Sequence, residues 1–281
     1  MTHLPRVSPA QQALVHEWLP EAEFVADLSW ELMGTAVLHL RTPQGDWIVK
    51  AGDATNHHIG RERKAHLDFT GPWVAQERAA RMFAFDLDAN MLLLDFLPGD
   101  LVQNHPAEAD PDTYRQAGAM LAEFHGQASR RDDDYEARMT QKALASLESP
   151  HRIAPETVTR LRKLLLDAKP ETVTLVPTHG DWHPRNWLIE NGIVRAIDFG
   201  RFDWRPALTD FSRLAVRQFA ANPILEAAFL DGYGSDARTP GLWRILQIRE
   251  AIGTAVWAYQ VGDERFEREG HHMIEVVLTI P

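Results

Sequence analysis

The segment THGDWHPRNWLIENGIVRAIDFG, from Thr178 to Gly200, constrains the fold of this chain more than any other. Its centre is two β-prone runs joined by Asn191-Gly192, a pair that tolerates positive φ at both positions and so selects a two-residue hairpin turn. Such a turn fixes the register: Glu190 faces Ile193, Leu188 faces Arg195, and Asn186 faces Ile197. Asp198 then sits one residue beyond the position opposite Asn186, and an amide oxygen and a carboxylate arrive side by side at the open end of the hairpin. Strict alternation would put them on opposite faces, so a twist or bend at the strand ends has to reconcile them. Two hard oxygen donors suit Mg²⁺, which keeps several waters and is held by one or two carboxylates plus substrate phosphates. Asp181 precedes the hairpin on a loop constrained by Gly180 and Pro184. It can project into the same space without being a metal ligand.

Global properties bound what such a site could serve. With 281 residues, 44% hydrophobic and 25% charged, the chain can bury a sizeable core as one large domain or two lobes. It has no apolar run of about 18 residues to span a bilayer, and its start lacks the layout of a secretion signal. No membrane partner and a cytoplasmic location are expected. The absence of cysteine excludes disulfides, thiolate zinc sites and a cysteine nucleophile. A formal net charge of -11 argues against nucleic acid as a partner and mildly favours approach of cations, although acidic surfaces also serve solubility.

The chain reads as two compositional halves. Between Phe24 and Leu97 the apolar runs TAVLHLRT, GDWIVKAG and RMFAFDLDANMLLLDFLPG are short and turn-bounded, with Asp-Ala-Asn as a hairpin turn, so a small sheet is predicted. A helix over 56–69 interrupts it, with Glu62, Ala65, His66 and Phe69 on one face. Beyond Leu97 the pattern turns helical. DPDTYRQAGAMLAEFHG has Asp110 as cap, Pro111 in the first turn, and Tyr114, Ala117, Leu121 and Phe124 on one stripe. APETVTRLRKLLLDAKP and segments 207–231 and 240–262 also read as helices, and RRDDDYEAR as a solvated loop or helix end. The resulting division is residues 1–97 as a mostly β N-terminal lobe and 98–281 as a larger helical lobe.

The block HGDWHPRN followed by IDFG resembles the catalytic loop of the protein-kinase-like fold. In detail it is similar to the aminoglycoside phosphotransferase and choline kinase family, antibiotic-resistance branch. The resemblance implies an α+β, bilobal fold with a small β-rich N-terminal lobe and a larger, mostly helical C-terminal lobe. It implies that Asp181 orients the acceptor hydroxyl and accepts its proton. Asn186 and Asp198 would hold Mg²⁺, which bridges the phosphates of ATP or GTP. His-Gly-Asp instead of His-Arg-Asp, and the lack of an Ala-Pro-Glu pattern, point to a small-molecule kinase.

Further positions follow from the same resemblance. Lys50 falls where the family has its phosphate-pairing lysine and Glu62 where a helix glutamate braces it, with Glu77 as a competing partner beyond Gly71-Pro72. Backbone groups of Asp95, Phe96 and Leu97 would bond the nucleotide base. His125 reads as a packed structural histidine, and Asp210 as support for the catalytic loop. The phosphate-cradling loop should lie between Leu28 and Val37, with Ser29, Gly34 and Thr35 around the phosphate, yet LSWELMGTAV contains a single glycine. Close approach of a phosphate is harder there.

The acceptor is less constrained. Trp182 and Trp204, with Asp203 beside them, could contribute aromatic faces and a carboxylate to a cationic, hydroxylated guest, although core packing is the competing role of such tryptophans. Aminoglycosides and basic cyclic peptides of the tuberactinomycin type fit that description. Metabolic kinases of choline, homoserine or a thiosugar share the motifs. Two readings stand outside kinase activity: a metallohydrolase built on His179, Asp181 and His183, and a non-catalytic pseudokinase binding module.

Overall fold

The computed structural model describes residues 3–30 and 34–279. In chain order its elements begin with α1 (Pro9–Trp18), β1 (Glu23–Asp27), β2 (Thr35–Thr42), β3 (Gly45–Gly52), α2 (His57–Asp68), α3 (Gly71–Ala75), β4 (Met82–Asp86), β5 (Met91–Asp95) and β6 (Asp100–Leu101). They continue with α4 (Pro111–His125), β7 (Arg130–Asp132), α5 (Tyr135–Ser146), α6 (Pro155–Asp167), β8 (Val173–Thr178), β9 (Trp187–Glu190), β10 (Ile193–Ala196) and β11 (Asp203–Arg205). Last come α7 (Ser212–Leu214), α8 (Pro223–Tyr233), α9 (Pro240–Val261) and α10 (Glu264–Thr279). Two compact units result. The first combines the chain up to Gln127 with Pro177–Asp203 and Ile224–Gly234, and the second takes Ala128–Val176, Trp204–Pro223 and the chain from Ser235.

The first unit is built on a five-stranded antiparallel sheet of order β1-β2-β3-β5-β4. Helix α1 starts at a capping box in which Ser8 and Gln11 satisfy each other's backbone N–H groups. Val15 of α1 packs with Leu38, Leu40, Val49, Met91 and Leu93 on one sheet face, while Ile59 of α2 packs with Leu92 and Leu94 on the other. Coverage of both faces explains why β5 is an unbroken apolar run, MLLL, where β2 alternates. Lys50 shares the α2 face with Ile48, two residues away on β3. It therefore points at the helix that carries Glu62.

Helix α4 has the expected Asp110 cap, whose carboxylate accepts from the Asp112 N–H, and its stripe of Tyr114, Ala117, Leu121 and Phe124 is buried. It meets α8 at backbone contact: a Cβ on Gly118 would lie 2.1 Å from the Phe229 carbonyl oxygen, and one on Gly232 1.9 Å from that of Arg115. The Gln116 side chain holds the β9–β10 hairpin, donating to Gly192 O at 2.8 Å and accepting from Val194 N at 3.1 Å. The hairpin has the register its turn dictates, Glu190 opposite Ile193 and Leu188 opposite Arg195, with φ of 51° at Asn191 and 76° at Gly192.

The second unit is mostly helical. Its core joins Leu161 and Leu165 of α6 to Ile248, Ile252 and Val256 of α9 and Ile274 and Val277 of α10. Short strands β7 and β8 pair antiparallel with Arg131 opposite Thr174. Several elements here depart from the sequence reading. RRDDDYEAR is β7 followed by the first turn of α5. Segment 207–231 is not one helix: Pro206 starts a 3-10 turn over Ala207–Phe211, a π turn spans Ala215–Phe219 after α7, and Pro223 opens α8.

A β-rich N-terminal part and a larger, mostly helical C-terminal part make an α+β fold of protein-kinase-like architecture, as expected from the sequence. Among the described residues no helix is long and apolar enough to cross a membrane.

Candidate active site

The site residues of the first unit come together in two groups. In the first, Lys50 Nζ donates to both carboxylate oxygens of Glu62, at 2.8 and 2.9 Å, and lies 3.4 Å from Asp198 Oδ1. Burial pushes the ammonium down, but the Asp198 and Glu62 carboxylates outweigh it and hold Lys50 above its ordinary value. Burial likewise pushes Glu62 up, yet Lys50, with help from His66, holds its carboxyl at about 2. Glu62 Oε1 also accepts the Phe199 N–H at 3.4 Å, so one carboxylate braces the strand lysine and the IDFG backbone together. Glu77, the competing partner, is exposed with a φ of 56° and takes no part in the Lys50 pairing.

The second group is the loop expected to be catalytic, HGDWHPRN. The Asp181 N–H donates to His179 Nδ1 at 3.3 Å, and His179 Nε2 lies 3.0 Å from Ile197 O, which fixes the tautomer with the proton on Nε2. Both ring nitrogens of His179 are thereby committed to backbone, and a His-x-Asp-x-His metal cluster loses its first ligand. Asn186 Nδ2 donates to Asp181 O at 2.8 Å, which orients the amide and leaves Oδ1 as its acceptor end. Asp181 itself is buried, its Oδ2 accepting from Arg185 Nη2 at 3.1 Å and its Oδ1 lying 3.4 Å from His183 Nε2.

Ile197 joins the groups, because its N–H donates to Asn186 O at 3.0 Å. The next residue, Asp198, has a φ of 64°, a left-handed conformation uncommon outside glycine. That is the bend that strand alternation demanded. Its side chain is 47% exposed, whereas Asp181 shows 4%. An amide oxygen and a solvent-facing carboxylate are hard donors, and their chemistry fits Mg²⁺ completed by water and phosphate oxygens.

Other expected positions are less open. Ser29 Oγ accepts the Val37 N–H at 2.8 Å and its own N–H donates to Asp27 Oδ1 at 2.9 Å, so Ser29 is engaged in closing the β1–β2 loop. Thr35 Oγ1 and Gly34 O both accept from Asn56 Nδ2, at 2.7 and 3.3 Å, tying the loop to the start of α2. The middle of that loop, residues 31–33, lies outside the described residues. At the strand end the Asp95 and Phe96 N–H groups are already given to Arg81 O and Asp46 O. Of the three residues expected to meet the base, Leu97 has the one N–H that no protein acceptor takes among the described residues. Burial raises the Asp95 carboxyl against the pull of Arg81.

Trp182 is 1% exposed, packed at tilted and edge-on angles against Trp73, His179 and Trp187, and presents no face to a guest. Asp203 is exposed and lines a cavity of about 610 Å³ with Asn56, Arg61, Lys64 and Asp88. In the second unit, Trp204 is half-buried with the Arg130 guanidinium 4.6 Å over its ring, and Asp210 is buried on the 3-10 turn. His125 is buried, with Nδ1 2.9 Å from the Tyr233 hydroxyl. Sequence reasoning missed His58, whose Nδ1 lies 2.9 Å from Gly200 O, and Arg185, which stood unassigned inside the quoted block.

Residues 36–246 match the model of the phosphotransferase enzyme family, three quarters of the chain. The chain belongs to that family. Its activity class is therefore phosphotransfer of the small-molecule kinase kind, with the nucleotide and Mg²⁺ use that membership implies. No curated protein matches this phosphotransferase in sequence. Solved structures share its fold at low identity. Choline kinase LicA from Streptococcus pneumoniae is 15% identical, with a TM-score of 0.68 and coverage of 97% of this chain and 99% of that one. Macrolide 2'-phosphotransferase MphH from Brachybacterium faecium is 16% identical, with 0.59 and coverage of 94% and 96%. Spectinomycin phosphotransferase APH(9)-Ia, in complex with ADP and spectinomycin, is 11% identical, with 0.62 and coverage of 99% and 100%.

Proposed function

We propose that this protein transfers the γ-phosphoryl group of ATP or GTP to a hydroxyl of a small cationic molecule, with Mg²⁺ as the cofactor. The observation that carries the reading is the joined assembly of Lys50–Glu62, Asp198, Asn186 and Asp181. Asp181 orients the acceptor hydroxyl and takes its proton. Lys50, held charged by Glu62, pairs with nucleotide phosphates, while Ser29, Gly34 and Thr35 border them and the segment Asp95–Leu97 receives the base. Asn186 and Asp198 hold the metal, which when bound neutralises charge on the phosphates. The chain up to residue 97 serves the nucleotide and the remainder supplies the catalytic loop and acceptor site, with Asp210 a structural support of that loop.

Among acceptors, antibiotics of the aminoglycoside or basic cyclic-peptide type rank first, which makes the protein a cytoplasmic resistance enzyme. A chain at -11 favours cations, and the solved structures of like fold include phosphotransferases named for aminoglycosides and spectinomycin. Asp203 and Trp204 are the residues offered to such a guest. Burial of Trp182 removes part of the aromatic surface that favoured a broad molecule, and this supports a second reading, a metabolic kinase for a compact acceptor such as choline, homoserine or a thiosugar.

The deciding experiment incubates the purified protein and MgATP with a panel of hydroxylated cations, reading ADP release and product mass. A gain of about 80 Da, one phosphoryl group, on an antibiotic supports the first reading. Gain on choline or a sugar alone supports the second, and ADP release with neither class overturns both.

A further inference from the structure

We propose that Arg185 is a catalytic residue of the transfer, a second cation that passes from the carboxylate of Asp181 to the transferred phosphoryl group. The proposal rests on the phosphotransfer reading above. Arg185 lies on the 3-10 turn Pro184–Asn186, between the proposed base and the proposed metal ligand. Its Nη2 donates to Asp181 Oδ2 at 3.1 Å, and its guanidinium carbon stands 4.6 Å over the ring of Trp30. Trp30 is half exposed and follows β1 on the segment that leads into the expected phosphate loop.

A guanidinium is a planar fork of five N–H donors. Here one donor serves Asp181. Among the described residues no protein acceptor takes a hydrogen bond from Nε or Nη1, and the side chain is 31% exposed while Asp181 shows 4%. The full fork can be spent on one carboxylate, as Arg217 does on the partly exposed Glu269 with Nε at 2.8 Å and Nη2 at 2.9 Å. Arg185 instead meets Asp181 through a single nitrogen, with its flat face held on an aromatic ring and its other donors reachable by a ligand.

Charge flow in the reaction uses that arrangement. The acceptor oxygen forms its bond to the γ-phosphorus as the bond from phosphorus to the β–γ bridging oxygen breaks, and that electron pair leaves on the nucleoside diphosphate. The hydroxyl proton goes to Asp181. Protonation removes the charge that holds Arg185, at the moment when negative charge is spread over the three phosphoryl oxygens. Its open donors can then follow the charge.

A transition-state mimic tests this without a known acceptor. Calorimetry measures binding of MgADP alone and of MgADP with fluoroaluminate, for the wild type, Arg185→Ala and Arg185→Gln. Asp181→Asn serves as a further variant, and thermal melts check folding. Fluoroaluminate should tighten MgADP binding by the wild type, and the two Arg185 variants should lose about tenfold or more of that tightening while binding MgADP alone within about threefold of wild type, as expected of a group that acts on the transition state. Equal tightening in wild type and either folded Arg185 variant overturns the assignment and leaves the phosphotransfer reading intact. A wild type that binds no MgADP, or gains nothing from fluoroaluminate, overturns that reading and this proposal with it.

Discussion

Lys50 Nζ sits almost equidistant from the two carboxylate oxygens of Glu62, 2.8 and 2.9 Å away, across the interface between β3 and α2. Both groups are buried, so the pair cannot be divided cheaply. Removal of one partner of such a pair strands a charge at a cost of about 3–5 kcal/mol, whereas replacing both with apolar groups is often neutral. Lys50→Met should therefore destabilise the fold by about 3 kcal/mol, and Lys50→Met with Glu62→Leu by much less. Urea denaturation of the two variants checks this, and both should fail to turn over MgATP.

The same pair sets a pH dependence. Glu62 is depressed to about 2 in the folded protein, so it contributes stability that is present above the ordinary glutamate value near ~4.3 and is lost as pH falls toward 2. Lys50 is raised, so its contribution is complete below its ordinary value near ~10.4 and is lost only above it. Melting temperature should be flat in this component from about pH 5 to 10 and fall in acid. Glu62→Gln should flatten part of the acid limb, and an unchanged limb would place the lost charge elsewhere.

Asp181→Asn keeps the shape of the loop, because the Asp181 main chain makes the contacts to His179 and Asn186. Turnover with the acceptor should drop by roughly 10²-fold or more while nucleotide affinity stays, the pattern for loss of a positioned acid–base group. Steady-state kinetics beside calorimetry measure the two quantities.

Asp198→Ala removes the solvent-facing carboxylate at the bend after Ile197. Magnesium should then no longer strengthen ATP binding, and titrations with and without the metal should coincide. Acceptor affinity should persist. A magnesium effect equal to that of wild type would mean that Asp198 does not hold the metal.

Gly118→Ala tests the seam between α4 and α8. The added Cβ would fall 2.1 Å from a backbone oxygen, which no rotamer change relieves, so a loss of about 1–3 kcal/mol or more is expected in chemical denaturation. Gly241→Ala, at a position with open space around it, is the matched control.

Much of this architecture was legible because short-range chemistry dictates it. Asn191-Gly192 admits one kind of turn, and the register from Trp187 to Ala196 follows from it. Asp110-Pro111 marks the start of α4 to the residue. The spacing of Glu62 from Lys50 reads correctly once α2 is recognised. The missed features depend on distant partners. Strand β1 is five residues long with only every second side chain half-buried, a weak signal until β2 pairs with it, and α5 hides in a charged run whose Tyr135 finds Val173 and Leu175. Trp182 takes the core-packing role that competed with a place in the cleft, against Trp73, more than a hundred positions earlier. Arg185 carried no pattern of its own, and its meaning came from Trp30 and the direction of the Asp181 carboxylate.

The glycine seam of α4 and α8 also bears on synthesis. Arg115 and Asp231, paired across it at 3.1 Å, are 116 positions apart, and every proposed nucleotide, metal and base residue is made before α8 emerges. At about 5–20 residues per second the ribosome takes roughly 6–23 s to bridge that gap. Throughout that interval α4 holds out a notch shaped for a helix that does not yet exist. A nascent chain stalled after Gly200 would own the proposed nucleotide, metal and base residues, but lack Asp203 and Trp204 of the proposed acceptor site and the helix α8 against which α4 packs.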